Sequence, residues 1–202
     1  VKTDDGRLYV ISGASRSGKT AWTRREVGKA PRVWAWDPED QWAQLPGWTK
    51  VTTRAQLLAA VKRPGPQRIA YVAGGKLADE FNFWAACVMY AGRYVAPLKA
   101  IAEELADVTT PSKAPGNWGI LLRRGLKRGI WLFCISQRWS EADKTAVGNA
   151  TDFVVFRASS GDDEAYLCRK AKLTLDQYPQ QPLCFIHKDA LTGVVKAGKL
   201  KF

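Results

Sequence analysis

The chain has 202 residues, enough for one α/β domain with a sizeable core, and its 46% hydrophobic and 25% charged composition excludes a disordered polypeptide. Thirty-one Lys and Arg against 19 Asp and Glu give a net charge of +12, which points to a polyanionic partner, nucleic acid or a membrane surface. No apolar run approaches a membrane span, and Val1–Asp5 does not read as a secretory leader. The four cysteines, Cys87, Cys134, Cys168 and Cys184, form no C-x-x-C pair that His187 could complete as a zinc site, and read as buried reduced thiols.

Leu8–Ser12 is predicted as a first strand. It runs into Gly13-Ala14-Ser15-Arg16-Ser17-Gly18-Lys19-Thr20, which is G-x-x-x-x-G-K-T, and then into a helix over Ala21–Lys29. Arg32–Trp36 is a second strand stopped by Asp37-Pro38. Thr53–Lys62 reads as a capped helix, residues 68–73 as a strand, and Asp79–Arg93 as an amphipathic helix through Phe81, Trp84, Val88 and Ala91. Ala96–Ala102 is a strand ending at Glu103-Glu104. Residues 106–117 read as a loop, in which Lys113 is a candidate DNA-backbone contact. Trp118–Arg128 is a helix, and Ile130–Ser136 a strand buried on both faces. Glu141–Asn149 and Asp162–Ala171 are helices flanking a strand over Phe153–Phe156. Leu183–His187 and Gly193–Val195 form a hairpin. Strands alternate with helices throughout, predicting one domain over residues 1–202: α/β, a mainly parallel central sheet with helices on both faces, and a C-terminal hairpin.

Among tryptophans, Trp34, Trp36, Trp84 and Trp131 read as core and Trp22 as packing behind the glycine loop. Trp42, Trp48, Trp118 and Trp139, in less regular stretches, read as marking an interface.

The glycine loop carries the most chemistry. With glycine near 7% of residues, its pattern arises by chance roughly once in a hundred chains of this length. Strand, glycine loop and helix together direct backbone N–H groups of Gly13, Ala14, Ser15, Arg16, Ser17 and Gly18 at phosphate oxygens, at a helix end with partial positive charge. Lys19 is placed to reach the β- and γ-phosphates of ATP, and Thr20 to hold Mg²⁺. Hydrolysis also needs an acid for Mg²⁺ and a group that orients water. The acidic pair at a strand end supplies both, Glu103 toward Mg²⁺ or its water shell and Glu104 toward the attacking water. Gln137, after the next strand, is a candidate γ-phosphate sensor. Arg123, Arg124, Lys127 and Arg128 cover an arc of roughly 140° on one predicted helix. Two readings of them stand, an arginine finger for a neighbouring subunit and a contact to the DNA backbone.

The joint order of motifs resembles the FtsK–HerA superfamily of ring-forming DNA-translocating ATPases. Asp37-Pro38-Glu39-Asp40 is similar to its D-P-x-[GD]-[EQ] turn, and Glu103-Glu104 to its acidic Walker B ending. Arg123-Arg124-Gly125-Leu126-Lys127-Arg128-Gly129-Ile130 and Ile135-Ser136-Gln137-Arg138 resemble its R-x-G-R-x-x-G-[IV] helix and [TS]-Q-R-P sensor strand. Residues 153–160, FVVFRASS, resemble the strand that follows. Trp139 replaces the usual proline and Leu126 the second arginine of the helix motif. The compact size is most like the genome-packaging ATPases of tailless, membrane-containing icosahedral viruses.

The resemblance implies a RecA/ASCE-like P-loop fold and Mg²⁺–ATP hydrolysis with an arginine finger, for which Arg123 and Arg157 are best placed. It further implies double-stranded DNA as partner, a homo-oligomeric ring, capsid vertex or portal-type proteins, and a location at the packaging vertex of the virion and in the host cytoplasm. The other classes weighed are a small P-loop nucleoside or metabolite kinase, a phage-assembly or secretion ATPase, and a nucleotide-binding structural protein.

Overall fold

The computed structural model describes residues 6–93, 97–112, 114 and 116–201. Strand β1 (Leu8–Ser12) leads through the glycine loop to helix α1 (Lys19–Val27). There follow β2 (Arg32–Trp36), β3 (Thr49–Val51), α2 (Arg54–Val61), β4 (Gln67–Tyr71), α3 (Leu77–Ala91), β5 (Leu98–Ala102), α4 (Leu105–Val108) and α5 (Gly116–Arg124). The chain continues through β6 (Ile130–Ser136), α6 (Lys144–Gly148), β7 (Asp152–Phe156), α7 (Gly161–Ala171), β8 (Cys184–Asp189) and β9 (Val195–Lys199).

The strands form one nine-stranded sheet in the order β3-β4-β2-β5-β6-β1-β7-β8-β9. All pairs from β3 to β7 are parallel, whereas β8 and β9 add antiparallel as the expected hairpin. Alternation along each strand feeds two cores. Trp34 and Trp36 of β2 join Trp84, Trp118 and Leu132 on the face covered by α2, α3, α5, α6 and α7. Val33 and Ala35 join Trp22, Val27, Trp42 and Phe133 on the other. Helices do cover both faces, but α1 shares its side with the segment around Trp42 and with Leu200.

Three expectations need correction. Residues 106–117 are not all loop: Leu105 and Val108, one helical turn apart, are both buried and pull the chain into α4. The basic helix predicted over 118–128 ends at Arg124; Leu126–Arg128 tightens into a 3-10 turn, stopped by Gly129 at φ 70, a conformation costly for a side chain. Arg123 and Arg124 therefore share no single helical face with Lys127 and Arg128. Trp42, Trp118 and Trp139 are fully buried rather than at an interface, because each indole N–H finds an internal acceptor: Glu103, Asp143 and the Ile11 carbonyl. Trp48 is half-buried against Trp42. Trp22 packs behind the glycine loop on Tyr9 and Phe185, as predicted, while Trp131, expected in the core, is half-buried under Lys99.

Smaller differences follow the same physics. α1 starts at Lys19 rather than Ala21, since left-handed Gly18 (φ 116) turns the chain straight into the helix. α6 is shorter than predicted because the Asp143 carboxylate caps it, accepting from the N–H groups of Thr145 and Ala146. Three cysteines are buried and Cys184 half-buried, all with free thiols. Among the described residues no helix is long and apolar enough to cross a membrane. Lys113 lies outside the described residues.

Candidate functional site

Parallel strands place their following loops at one sheet edge, and the loops after β1, β2, β5 and β6 meet there. After β1 the glycine loop is anchored by its neighbour: the Ala14 N–H donates to the Arg157 carbonyl at 2.8 Å, just beyond β7. The first turn of α1 holds no acidic residue, and Gly18 offers no side-chain cap. Its leading N–H groups are thus left for an external anion, the donor set a phosphate requires. Ser17 Oγ is buried without a hydrogen-bond partner among the described residues. Lys19 is buried, and its Nζ donates to the carbonyls of Gly13 (2.8 Å) and Ala14 (2.9 Å). Burial pulls its ammonium below the usual lysine range, opposed by the charges of Glu104 and Glu103.

The acids after β5 differ from each other. Glu103 is buried, and its Oε1 accepts from the Trp42 indole at 2.9 Å. Burial pushes its carboxyl up to about 7, with Trp42 as the main opposing influence. Glu104 sits at φ 45, ψ 55, a left-handed conformation that a non-glycine residue holds only under outside constraint. Its Oε1 accepts from Gln137 Nε2 at 3.1 Å, and burial raises its pKa against that hydrogen bond. The sensor candidate and the water-orienting candidate are therefore in direct contact, because β6 lies beside β5 in the sheet.

Sequence reasoning did not single out Trp42 as the partner of Glu103. Asp37, noted only as part of a turn, builds that partnership. Its carboxylate accepts the N–H groups of Gln41 (2.8 Å), Trp42 (2.9 Å) and Ala43 (2.9 Å), folding the segment that brings the indole inward. Asp37-Pro38 after a strand signalled a turn; nothing local signalled its target 61 positions away.

Together these elements bound a cleft of about 330 Å³, lined by Ser15, Arg16, Lys19 and Thr20, by Asp37, Pro38, Glu39 and Gln41, and by Glu103, Glu104 and Gln137. Among the described residues no cluster of three or more carboxylate, histidine or cysteine side chains forms a metal site unaided. A hydroxyl, two carboxylates and a phosphate cradle nonetheless match Mg²⁺, which takes few protein ligands and fills its shell with water and phosphate. Two candidates lie outside the cleft lining. Arg157 is at the same sheet edge, its backbone on the glycine loop and its side chain exposed. Arg123, at the C-terminal end of α5, lies toward the opposite edge, where β6 begins.

The sheet and its glycine loop define a P-loop NTPase fold. The solved structures that share it include the genome packaging NTPase B204 from Sulfolobus turreted icosahedral virus 2 with ATP-γS, at TM-score 0.77 and 12% identity over all of both chains. B204, the DNA-packaging ATPase from Sulfolobus Turreted Icosahedral Virus, overlaps at TM-score 0.74 and 14% identity, again over both whole chains. The N-terminal domain of zonular occludens toxin from Neisseria meningitidis reaches TM-score 0.52 at 14% identity, covering 97% of this chain and 95% of that one. In sequence the chain is similar to Protein P9 of Pseudoalteromonas phage PM2, 37% identical over 145 residues. The match takes in 69% of this chain and spans 63% of that protein's length. No family model matches. The resemblance to viral genome-packaging ATPases read from the motifs thus recurs in the fold.

Proposed function

We propose that the chain is a Mg²⁺-dependent ATPase of FtsK–HerA type that acts as an oligomeric ring to drive double-stranded DNA into a viral capsid. The observation that carries this reading is the convergence of Lys19, Thr20, Glu103, Glu104 and Gln137 on one cleft from three separate loops. Support also comes from the packaging role of the B204 proteins that share the fold, and from the net charge of +12, suited to a polyanion.

In this reading the loop of Gly13, Ala14, Ser15, Arg16, Ser17 and Gly18 cradles the phosphates, with the Ala14 N–H kept on the Arg157 carbonyl as the loop's anchor rather than turned to phosphate, and Lys19 leaves its loop carbonyls for the β- and γ-oxygens. Thr20 and Glu103 hold Mg²⁺, which supplies neutralisation of the charge that develops on the phosphoryl oxygens. Glu104 positions the attacking water, and Gln137, bonded to it, links γ-phosphate contact to the readiness of that base. Arg157, exposed at the nucleotide edge, is favoured over Arg123 as the finger for a neighbour's site. The protein would act at the packaging vertex of the virion and in the host cytoplasm, against capsid vertex or portal-type proteins.

The test is phosphate release, measured with and without duplex DNA across protein concentrations. A motor shows stimulation by DNA and specific activity that rises with concentration. Turnover insensitive to both, accelerated instead by a small acceptor, would favour a nucleoside or metabolite kinase.

A further inference from the structure

The parallel topology sorts the charges at the helix ends, while Asp152 and Asp189, at the start of β7 and the end of β8, pair with Arg7. Helices run back antiparallel to the strands, so their first turns lie at the nucleotide edge and their last turns at the opposite one. Acids gather in the former: Asp79 and Glu80 in α3, and Asp162, Asp163 and Glu164 in α7. Cations gather in the latter: Arg24 and Arg25 in α1, Arg123 and Arg124 in α5, and Arg169 and Lys170 in α7.

Helix dipoles favour a cation in each last turn. They do not account for what surrounds those cations. Arg93, after α3, and Arg124 both act on the Arg128 guanidinium, which burial and these two like charges together hold below its usual range. None of the ion pairs among the described residues involves any of the three. Arg128 Nη1 donates to the Met89 carbonyl at 3.2 Å, while Arg93 stacks over Tyr90 at 5.2 Å. A second feature lies toward the same edge. A groove of about 340 Å³ between α6, α7 and the start of β7 is lined by Lys144, Lys170, Lys172 and Lys188, with no acid among its lining residues. Guanidiniums without carboxylate partners among the described residues, and a groove whose charged lining residues are all lysines, are costly self-repulsion unless an external polyanion relieves it.

We propose that the sheet edge opposite the nucleotide cleft is a duplex-DNA surface, with the arginine cluster and the lysine groove taking phosphates of the backbone. The inference rests on the DNA reading above and places the duplex on the subunit. Arginine forks suit phosphodiester oxygens, and such contacts are sequence-tolerant, as transport along DNA requires. Nucleotide and DNA then occupy opposite ends of the same strands.

The test is binding of a 30-base-pair duplex of mixed sequence, followed by fluorescence anisotropy across salt concentrations. One variant combines Arg93→Gln, Arg124→Gln and Arg128→Gln. A second combines Lys144→Gln, Lys170→Gln and Lys172→Asn, with asparagine chosen because Lys172 has φ 51. A control removes the same charge from the nucleotide edge through Lys76→Gln, Lys199→Gln and Lys201→Gln. Each edge variant is expected to bind about tenfold or more weakly, with its log–log salt slope reduced by about 2 to 3, while the control stays near wild type. Circular dichroism reports folding, and the lysine variant carries the test if the arginine variant does not fold. Duplex binding by both edge variants at wild-type affinity would overturn this placement and leave the DNA reading standing. Failure of the wild-type chain to bind duplex at low salt would remove the DNA reading and this surface with it. Anionic phosphatidylserine vesicles bound by the wild type and lost in the edge variants, with duplex binding untouched, would assign the face to a bilayer and overturn the proposal.

Discussion

Glu103 pays for its position in the free protein. It is buried beside Glu104 with its carboxyl pushed up to about 7, against 4.5 in the unfolded chain. Below pH 4.5 both states hold the proton and nothing is lost. As pH rises toward 7 the unfolded chain ionises first, and above 7 the full cost, on the order of 3 kcal/mol, falls on the fold. Glu103→Gln should therefore raise the melting temperature at pH 8.5 by on the order of 5–10 °C, and hardly change it at pH 5. Scanning calorimetry at the two pH values checks this, and an equal gain at both would sink the argument. Glu104→Gln should keep ATP binding and lower turnover by about a hundredfold or more, since an amide cannot act as a base. Isothermal titration and a phosphate-release assay separate the two, and wild-type turnover would reduce Glu104 to a strand-end acid. The acids were legible in the sequence because a paired carboxylate after an apolar strand sits where α/β sites form. Trp42 was not: its role depends on Asp37 folding a turn whose target is distant in sequence.

Elements whose signals were local were read closely. β1, β2 and β6 appear with the boundaries expected, since β-branched and aromatic runs between turn residues leave little choice. α2 carries the expected cap, Thr53 and Gln56 satisfying each other's backbone N–H groups. What escaped were α4, too short for a periodicity, and β3, three residues that form a strand only because β4 offers an edge. Asp143 separates local from tertiary roles. It caps α6 and also accepts from the Trp118 indole at 2.8 Å in the core. Asp143→Ala should cost about 2–4 kcal/mol by losing a cap and orphaning a buried indole donor. Thr53→Ala, at an exposed cap, should cost about 1 kcal/mol. Urea denaturation of both variants checks the ordering, and equal costs would mean the Trp118 contact contributes nothing.

At the scale of the whole molecule, the two arginine candidates are separated by the length of β6, about 20 Å. Arg157 shares the nucleotide edge but not the cleft lining of its own chain. Arg157→Ala should therefore bind ATP normally, hydrolyse it poorly, and regain activity when mixed with Lys19→Ala, because each mixed contact joins one intact cleft to one intact arginine. Turnover of the mixture against the separate variants is the measurement. Absence of rescue, with mixed oligomers demonstrated by native mass spectrometry, would argue for a self-contained site. How chains meet is constrained by the sheet itself. At one end β3 offers three residues; at the other, β9 sets Lys196 and Lys199 on its exposed strand. A short end and a lysine-bearing end are poor templates for strand addition. Copies of this chain gain little by zipping backbone to backbone, the contact that leads to fibrils and seldom reverses. In the proposed ring, contact between copies would fall to side-chain surfaces that dock and release, as a cycling machine needs and an amyloid precursor lacks.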